Sequence, residues 1–275
     1  MTENRAGSIG SSELTAANVT QRSSQLKPLR DIRYFESAEV PHAGAPMPRY
    51  ASELFKLAKE AVALGQRIAR KCEELGVSIG SADHLYVCFT PSLEEGAVAF
   101  TDYAVEPWHR YVLCGLDRGF NERSAREQLQ AVCNATFEAV AALAQAGADQ
   151  LPSLQRDVVA KGDALRVTLR TKQTKKYRIT VEQTVPVHPS PSQVFARVEE
   201  LATSKVVEVE VAAVPFHDDA PALVDRLAIV DEVLVIHPRK SFRAELVTRQ
   251  YDLPLRISLR GSFGPGEGDR SLQDR

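Results

Sequence analysis

The chain predicts an α+β protein built mainly on antiparallel sheet, with two long amphipathic helices in its first half and a strand-rich second half. Three observations carry that expectation. Apolar residues recur at three- and four-residue steps in two long stretches before residue 150, the mark of a helix with one buried face. Short runs of β-branched and aromatic residues, punctuated by Pro, Gly and polar turns, fill most of the remainder. Helices and strands come in blocks instead of strict alternation, which favours α+β over a doubly wound parallel sheet. With 275 residues, 44% hydrophobic and 25% charged, the chain has ordinary globular composition and can bury one large core or two small ones.

Residues 1–25 are rich in Ser, Thr, Asn and Gly and lack the apolar groups needed to order themselves. Residues 26–49 carry Ile32, Tyr34 and Phe35 ahead of a Pro/Gly-rich linker, so 1–49 reads as a disordered tail followed by a surface arm. A first domain spans 50–150. Its opening helix is expected over 51–76, capped by Ser52, with Leu54, Leu57, Ala61, Leu64, Ile68 and Cys72 on the apolar face and Gly76 ending it. Strands over 85–90, 97–104 and 108–114 then form an antiparallel meander. Ser124-x-x-Glu127 is a capping box that starts the second helix, whose stripe is Leu129, Val132, Cys133, Phe137, Val140 and Leu143, closed by Gly147.

The second unit, 151–262, begins with a hairpin of strands 163–170 and 175–185 around Thr171-Lys172-Gln173-Thr174. A short helix or irregular piece is expected over 193–201, a strand over 205–214 and a helix over 220–229. Strands over 233–237, 242–249 and 255–259 follow, and 263–275 is a flexible tail.

Much chemistry is excluded by what is missing. The sequence has no Walker loop, no GxGxxG after a strand, no GxSxG and no HExxH, so no cofactor and no metal are expected. Cys72, Cys88, Cys114 and Cys133 form no CxxC pair and lie within apolar runs, as buried reduced thiols of a cytoplasmic protein would. No run of 18 apolar residues is present, so no membrane span is expected. The net charge of -2 argues against nucleic acid as a partner.

Three groups remain as site candidates. Trp108 and Arg110 share one side of a strand, His109 and Tyr111 the other, and one side is left for recognition. Around them lie the carboxylates Glu94, Glu95, Asp102 and Glu106. His217, Asp218 and Asp219 could serve as acid, base or ligands, although either aspartate would equally cap the next helix. Arg166, Arg170, Lys172, Lys175, Lys176 and Arg178 surround a hairpin tip that could grip phosphates, or simply keep an edge strand soluble.

The run LYVCFTP through EPWHRYVLCGLDRGFN to the helix ending AVAAL, within residues 84–147, resembles the core of bacterial polymorphic-toxin immunity proteins. The shared features are an aromatic-Arg-Tyr-Val strand, a turn of glycine, acidic and Phe-Asn residues (here Gly115 to Asn121), and an amphipathic helix. The resemblance implies a small cytosolic protein that neutralises a cognate toxin by covering its active site. The expected function is therefore non-catalytic protein binding, with Glu94, Glu95, Asp102, Glu106, Trp108 and Arg110 meeting another protein such as a basic toxin. Two alternatives are an intracellular hydrolase using His217, Asp218 and Asp219, and an RNA-associated protein using the basic hairpin.

Overall fold

A computed structural model of the chain describes residues 26–40, 48–101 and 106–260. The tails expected over 1–25 and 263–275 lie outside them. Among the described residues the protein is α+β, with mainly antiparallel sheet and helices in both halves of the chain.

The expected surface arm contributes an interior strand instead. Residues Asp31–Glu36 form β1, which pairs in parallel with β3 (His84–Thr90) from Asp31↔His84 to Glu36↔Phe89. Ile32 and Tyr34 enter one apolar cluster and Phe35 another. The segment has an apolar group for each face of a sheet, so a place at its margin would waste both.

The expected antiparallel meander is also corrected. The sheet runs β2 (Arg49–Tyr50), β1, β3, β5 (His109–Gly115), β4 (Val98–Phe100), and β3 and β5 are parallel. Only the short β4 lies antiparallel to β5, at the edge. The near-continuous apolar run of β5 needs a strand on each side, and inserting it between β3 and β4 supplies both.

Two helices cover one face of this sheet. α1 runs Lys59–Leu75 and ends at Gly76, whose φ of 71° is open to glycine at little cost. It begins eight residues later than the expected 51–76, and Ser52 is not its cap. The buried Glu36 carboxylate explains the delay. It accepts the backbone N–H groups of Ser52 (3.0 Å), Glu53 (3.0 Å), Leu54 (3.1 Å) and Phe55 (3.0 Å), curling 52–55 around an anion. α2, Ala125–Leu143, starts at the expected capping box of Ser124 and Glu127. The chain then forms α3, Leu151–Lys161, where no helix was expected. Leu151, Leu154 and Val158 of α3 join the first core, so packing carries that core past residue 150.

In the second half, β6 (Arg166–Gln173), β7 (Tyr177–Thr184), β8 (Ser192–Glu200) and β9 (Val206–Val214) make an antiparallel meander. β8 replaces the irregular piece expected over 193–201, and Val194, Ala196 and Val198 bury its alternate positions. The helix expected over 220–229 stops early, as α4 (Ala220–Leu223), and gives way to β10 (Arg226–Val230). β10 pairs with β11 (Val233–His237), and β12 (Leu255–Ser258) completes a three-stranded sheet. Residues Phe242–Thr248, expected as a strand, are helix α5: Ser241 Oγ accepts the Ala244 N–H, and Ala244 and Thr248 are buried one turn apart.

Arg67 bolts the halves together. Its side chain is 5% exposed, donates through Nε to the Val185 carbonyl at 2.9 Å and pairs with Asp163. Glu74 accepts the Thr168 N–H at 3.0 Å nearby. All four cysteines are free and buried. Burial pushes the Cys72, Cys88 and Cys114 thiols up to about 12 and that of Cys133 to about 11.

Candidate functional site

The pleat of the first sheet sends Ile32, Tyr34, Leu85, Val87, Phe89, Val112 and Cys114 into the core beneath the helices. Phe35, Tyr86, Cys88, Tyr111 and Leu113 form a separate cluster on the other face. That second face is a continuous array of rings. Tyr50 stacks on Phe35 (4.7 Å), Phe35 meets Tyr86 (5.0 Å) and Tyr111 (5.5 Å), and Tyr86 meets His109 edge-on (4.7 Å). Trp108 stacks on His109 at 6.0 Å.

Most of these rings are buried, but the array surfaces at Trp108, which is 46% exposed, and at Tyr50, which is 61% exposed. His109 is buried, and neither ring nitrogen has a hydrogen-bond partner among the described residues. Burial lowers its pKa, so the imidazole is neutral and serves as an aromatic plate beneath Trp108. The Trp108 backbone is fixed too. Its carbonyl accepts the N–H groups of Asp83 (3.0 Å) and His84 (3.1 Å).

The other expected contact residues divide. Glu106 is exposed beside Trp108, and its carbonyl accepts the His109 N–H at 3.3 Å. Arg110 is half-buried opposite Leu85 in the register. Glu94 and Glu95 belong to the turn after β3, held against Gly115 at the far end of β5, about 20 Å from Trp108 at the rise of a strand. Glu95 forms two 2.5 Å hydrogen bonds with Arg123, which hold its carboxyl below its ordinary value. Glu94 and Glu95 are therefore not part of one patch with Trp108. Asp102 lies outside the described residues.

His217, Asp218 and Asp219 sit beside a cleft of about 730 Å³ between the halves, lined by Asp218 and Asp219 and across it by Asp31, His84 and Arg70. Asp218 is held by Arg70 at 2.7 Å. The nearest approach of His217 Nε2 to Asp218 is 3.5 Å, and burial lowers the histidine's pKa. No hydroxyl or thiol hydrogen-bonds to His217 among the described residues, so a nucleophile–base pair is not assembled there. Sequence reasoning missed the opposite wall, an ion-pair hub drawn from three elements. His84 Nδ1 lies 2.6 Å from Asp83, and Asp31 is held by Arg33 Nε (2.7 Å) and Gln66 Nε2 (2.7 Å). The local signs of it are adjacent Asp83-His84 and Asp31-x-Arg33.

No group of three or more His, Cys, Asp or Glu among the described residues is placed to hold a metal ion. Nor is any described helix long and apolar enough to cross a membrane. The basic hairpin is largely neutralised from within. Arg166 pairs with Glu208 (2.7 Å), Lys176 with Glu200 (3.6 Å) and Arg178 with Glu199 (3.0 Å), while Lys172 donates to the Leu227 carbonyl at 2.6 Å. No protein-family model, curated protein or solved structure matches the chain.

Proposed function

We propose that this is a non-catalytic protein-binding protein whose contact surface is centred on Trp108 at the open end of the first sheet. The observation that carries the reading is the stack: a half-exposed indole lies on a buried, neutral His109 wedged against Tyr86 and Tyr111. A side chain already held in place loses little rotamer freedom on binding, and tryptophan is enriched among binding hot spots. Glu106 beside it offers one exposed carboxylate to a basic partner. In its finer form, supported by the resemblance of residues 84–147, the partner is a toxin whose active site this surface covers.

Co-expression with the product of the adjacent gene tests both levels. A stable complex with protection from toxicity is expected. Trp108→Ala should weaken the complex by about 2 kcal/mol or more, roughly thirtyfold. Full affinity in Trp108→Ala would move the surface elsewhere. A complex without protection would keep protein binding and remove the toxin.

A further inference from the structure

We infer that a second site, an apolar slot between α1 and the loops flanking the four-stranded sheet, binds a small molecule made of a planar ring joined to an anionic group. The slot has a volume of about 370 Å³, the size of a small-ligand pocket. One wall is a single face of α1: Lys59, Val62, Ala63 and Gln66 follow each other at helical spacing. The other is Pro186, His188, Pro215 and Phe216. Two of the protein's exposed large apolar side chains, Val62 at 61% and Phe216 at 56%, converge on this one concavity. His188 stacks on Phe216 at 5.5 Å and 14°, making a flat plate whose free face suits another ring.

The charge balance selects the rest of the ligand. Asp218, in the lining, is held by Arg70, which it shares with Glu73. Lys59, at the slot, has no ion pair among the described residues. The slot shares Gln66 and Asp218 in its lining with the larger cleft, so the two cavities are neighbours. In that cleft Arg239 and Arg243 are likewise without ion pairs, against Asp219 as the unpaired carboxylate. Lys59 is therefore the cation at the slot without a carboxylate of its own, and an anion attached to a stacked ring satisfies it. This site uses none of the residues of the Trp108 surface, so either can fail without the other.

The test uses the full chain with labelled methyl groups and three probes: 2-naphthoate, the uncharged 2-naphthalenemethanol, and guanosine 5′-monophosphate. Saturable shifts of the Val62 and Ala63 methyl signals are expected with 2-naphthoate. Binding should be about tenfold weaker for the alcohol, and about tenfold weaker for 2-naphthoate in Lys59→Gln. Phe216→Ala, at a largely exposed position, should weaken all probes while the melting temperature stays unchanged. The third probe distinguishes the ligand's source. Tighter binding of the nucleotide, lost in a double Arg239→Ala, Arg243→Ala variant, means a phosphate reaching the cleft; weaker binding than 2-naphthoate means an aromatic acid confined to the slot. Unshifted Val62 and Ala63 signals, or equal affinity for the acid and the alcohol, would overturn the inference.

Discussion

Glu36 should be the most consequential carboxylate of the first domain, and Glu36→Gln the cleanest way to show it. The side chain is 3% exposed, yet burial, which by itself would raise its pKa, is outweighed by the backbone N–H groups of Phe55, Leu54, Glu53 and Ser52, and the carboxyl stays below its ordinary 4.5. Glutamine keeps the shape but replaces one acceptor oxygen with a donor that faces N–H groups. The surviving bonds lose their charge, and a buried donor left unsatisfied costs about 1–3 kcal/mol. Relief of the carboxylate's desolvation offsets part of this, leaving a net loss of about 3 kcal/mol, or about 10 °C of melting temperature for a chain of this size. Because the folded pKa is depressed, the stabilisation is complete above pH 4.5 and is lost as pH falls through the lower folded value. Thermal unfolding followed by circular dichroism should therefore show a constant gap between the parent and Glu36→Gln from neutral pH down to about 4.5, narrowing below it. Amide exchange at 52–55 should accelerate in the variant even at pH 7. A variant melting within 2 °C of the parent, or a gap that persists into strong acid, would refute the idea that an anion organises this loop.

Two further substitutions probe the scaffold. A Cβ on Gly115 would sit 1.9 Å from the Glu94 carbonyl oxygen, so Gly115→Ala must push the 91–97 turn off the end of β5; a loss of about 2 kcal/mol or more is expected in denaturant unfolding, and full stability would show that the turn yields freely. Arg67→Met keeps the buried bulk but orphans the Val185 carbonyl, and should cost about 1–3 kcal/mol while splitting the unfolding of the two halves into separate transitions; one unshifted transition would mean that Arg67 does not join them.

What was legible in the sequence was whatever its own neighbourhood decides. The capping box at Ser124 and Glu127 works within one turn, and α2 begins where it predicts. The start of α1 was illegible because the group that competes for its first N–H donors is Glu36, 16 or more residues away and on another strand. FRAELVT at 242–248 carries both periods, with Phe242, Ala244 and Leu246 alternating as a strand would; the Ser241 cap and the i, i+4 burial of Ala244 and Thr248 decide for helix. The strand order of the first sheet was hidden for a different reason. LYVCF and YVLC are apolar without alternation, which signals burial on both faces and parallel neighbours, whereas reading them as successive hairpin strands follows only the shortness of the connections. For the site, Trp108 could be singled out from composition alone, but its support by His109, Tyr86 and Tyr111 depends on the parallel register Tyr86↔Tyr111. The slot could not have been found at all, since Lys59 to Gln66 meet Pro186 to Phe216 only through the docking of the halves.

The charged groups of the first half bear on the proposed binding surface as well. A polar cluster there, the hub of Asp31, Asp83, His84, Arg30 and Arg33, is paired largely among its own members: Arg30 lies 3.0 Å from Asp83, Arg33 2.7 Å from Asp31, and His84 stands between the two carboxylates. Each carboxylate of the hub already faces a cation or an N–H donor, and His84 Nδ1 is turned to Asp83, which leaves its Nε2 3.7 Å from Asp31. The hub also acts mechanically. It fixes Asp83 and His84, whose N–H groups bind the Trp108 carbonyl, so the exposed indole inherits its position from a network of charges on the neighbouring strands. On the proposed reading, the network serves to hold an aromatic surface still, as a binding surface with pre-set side chains requires.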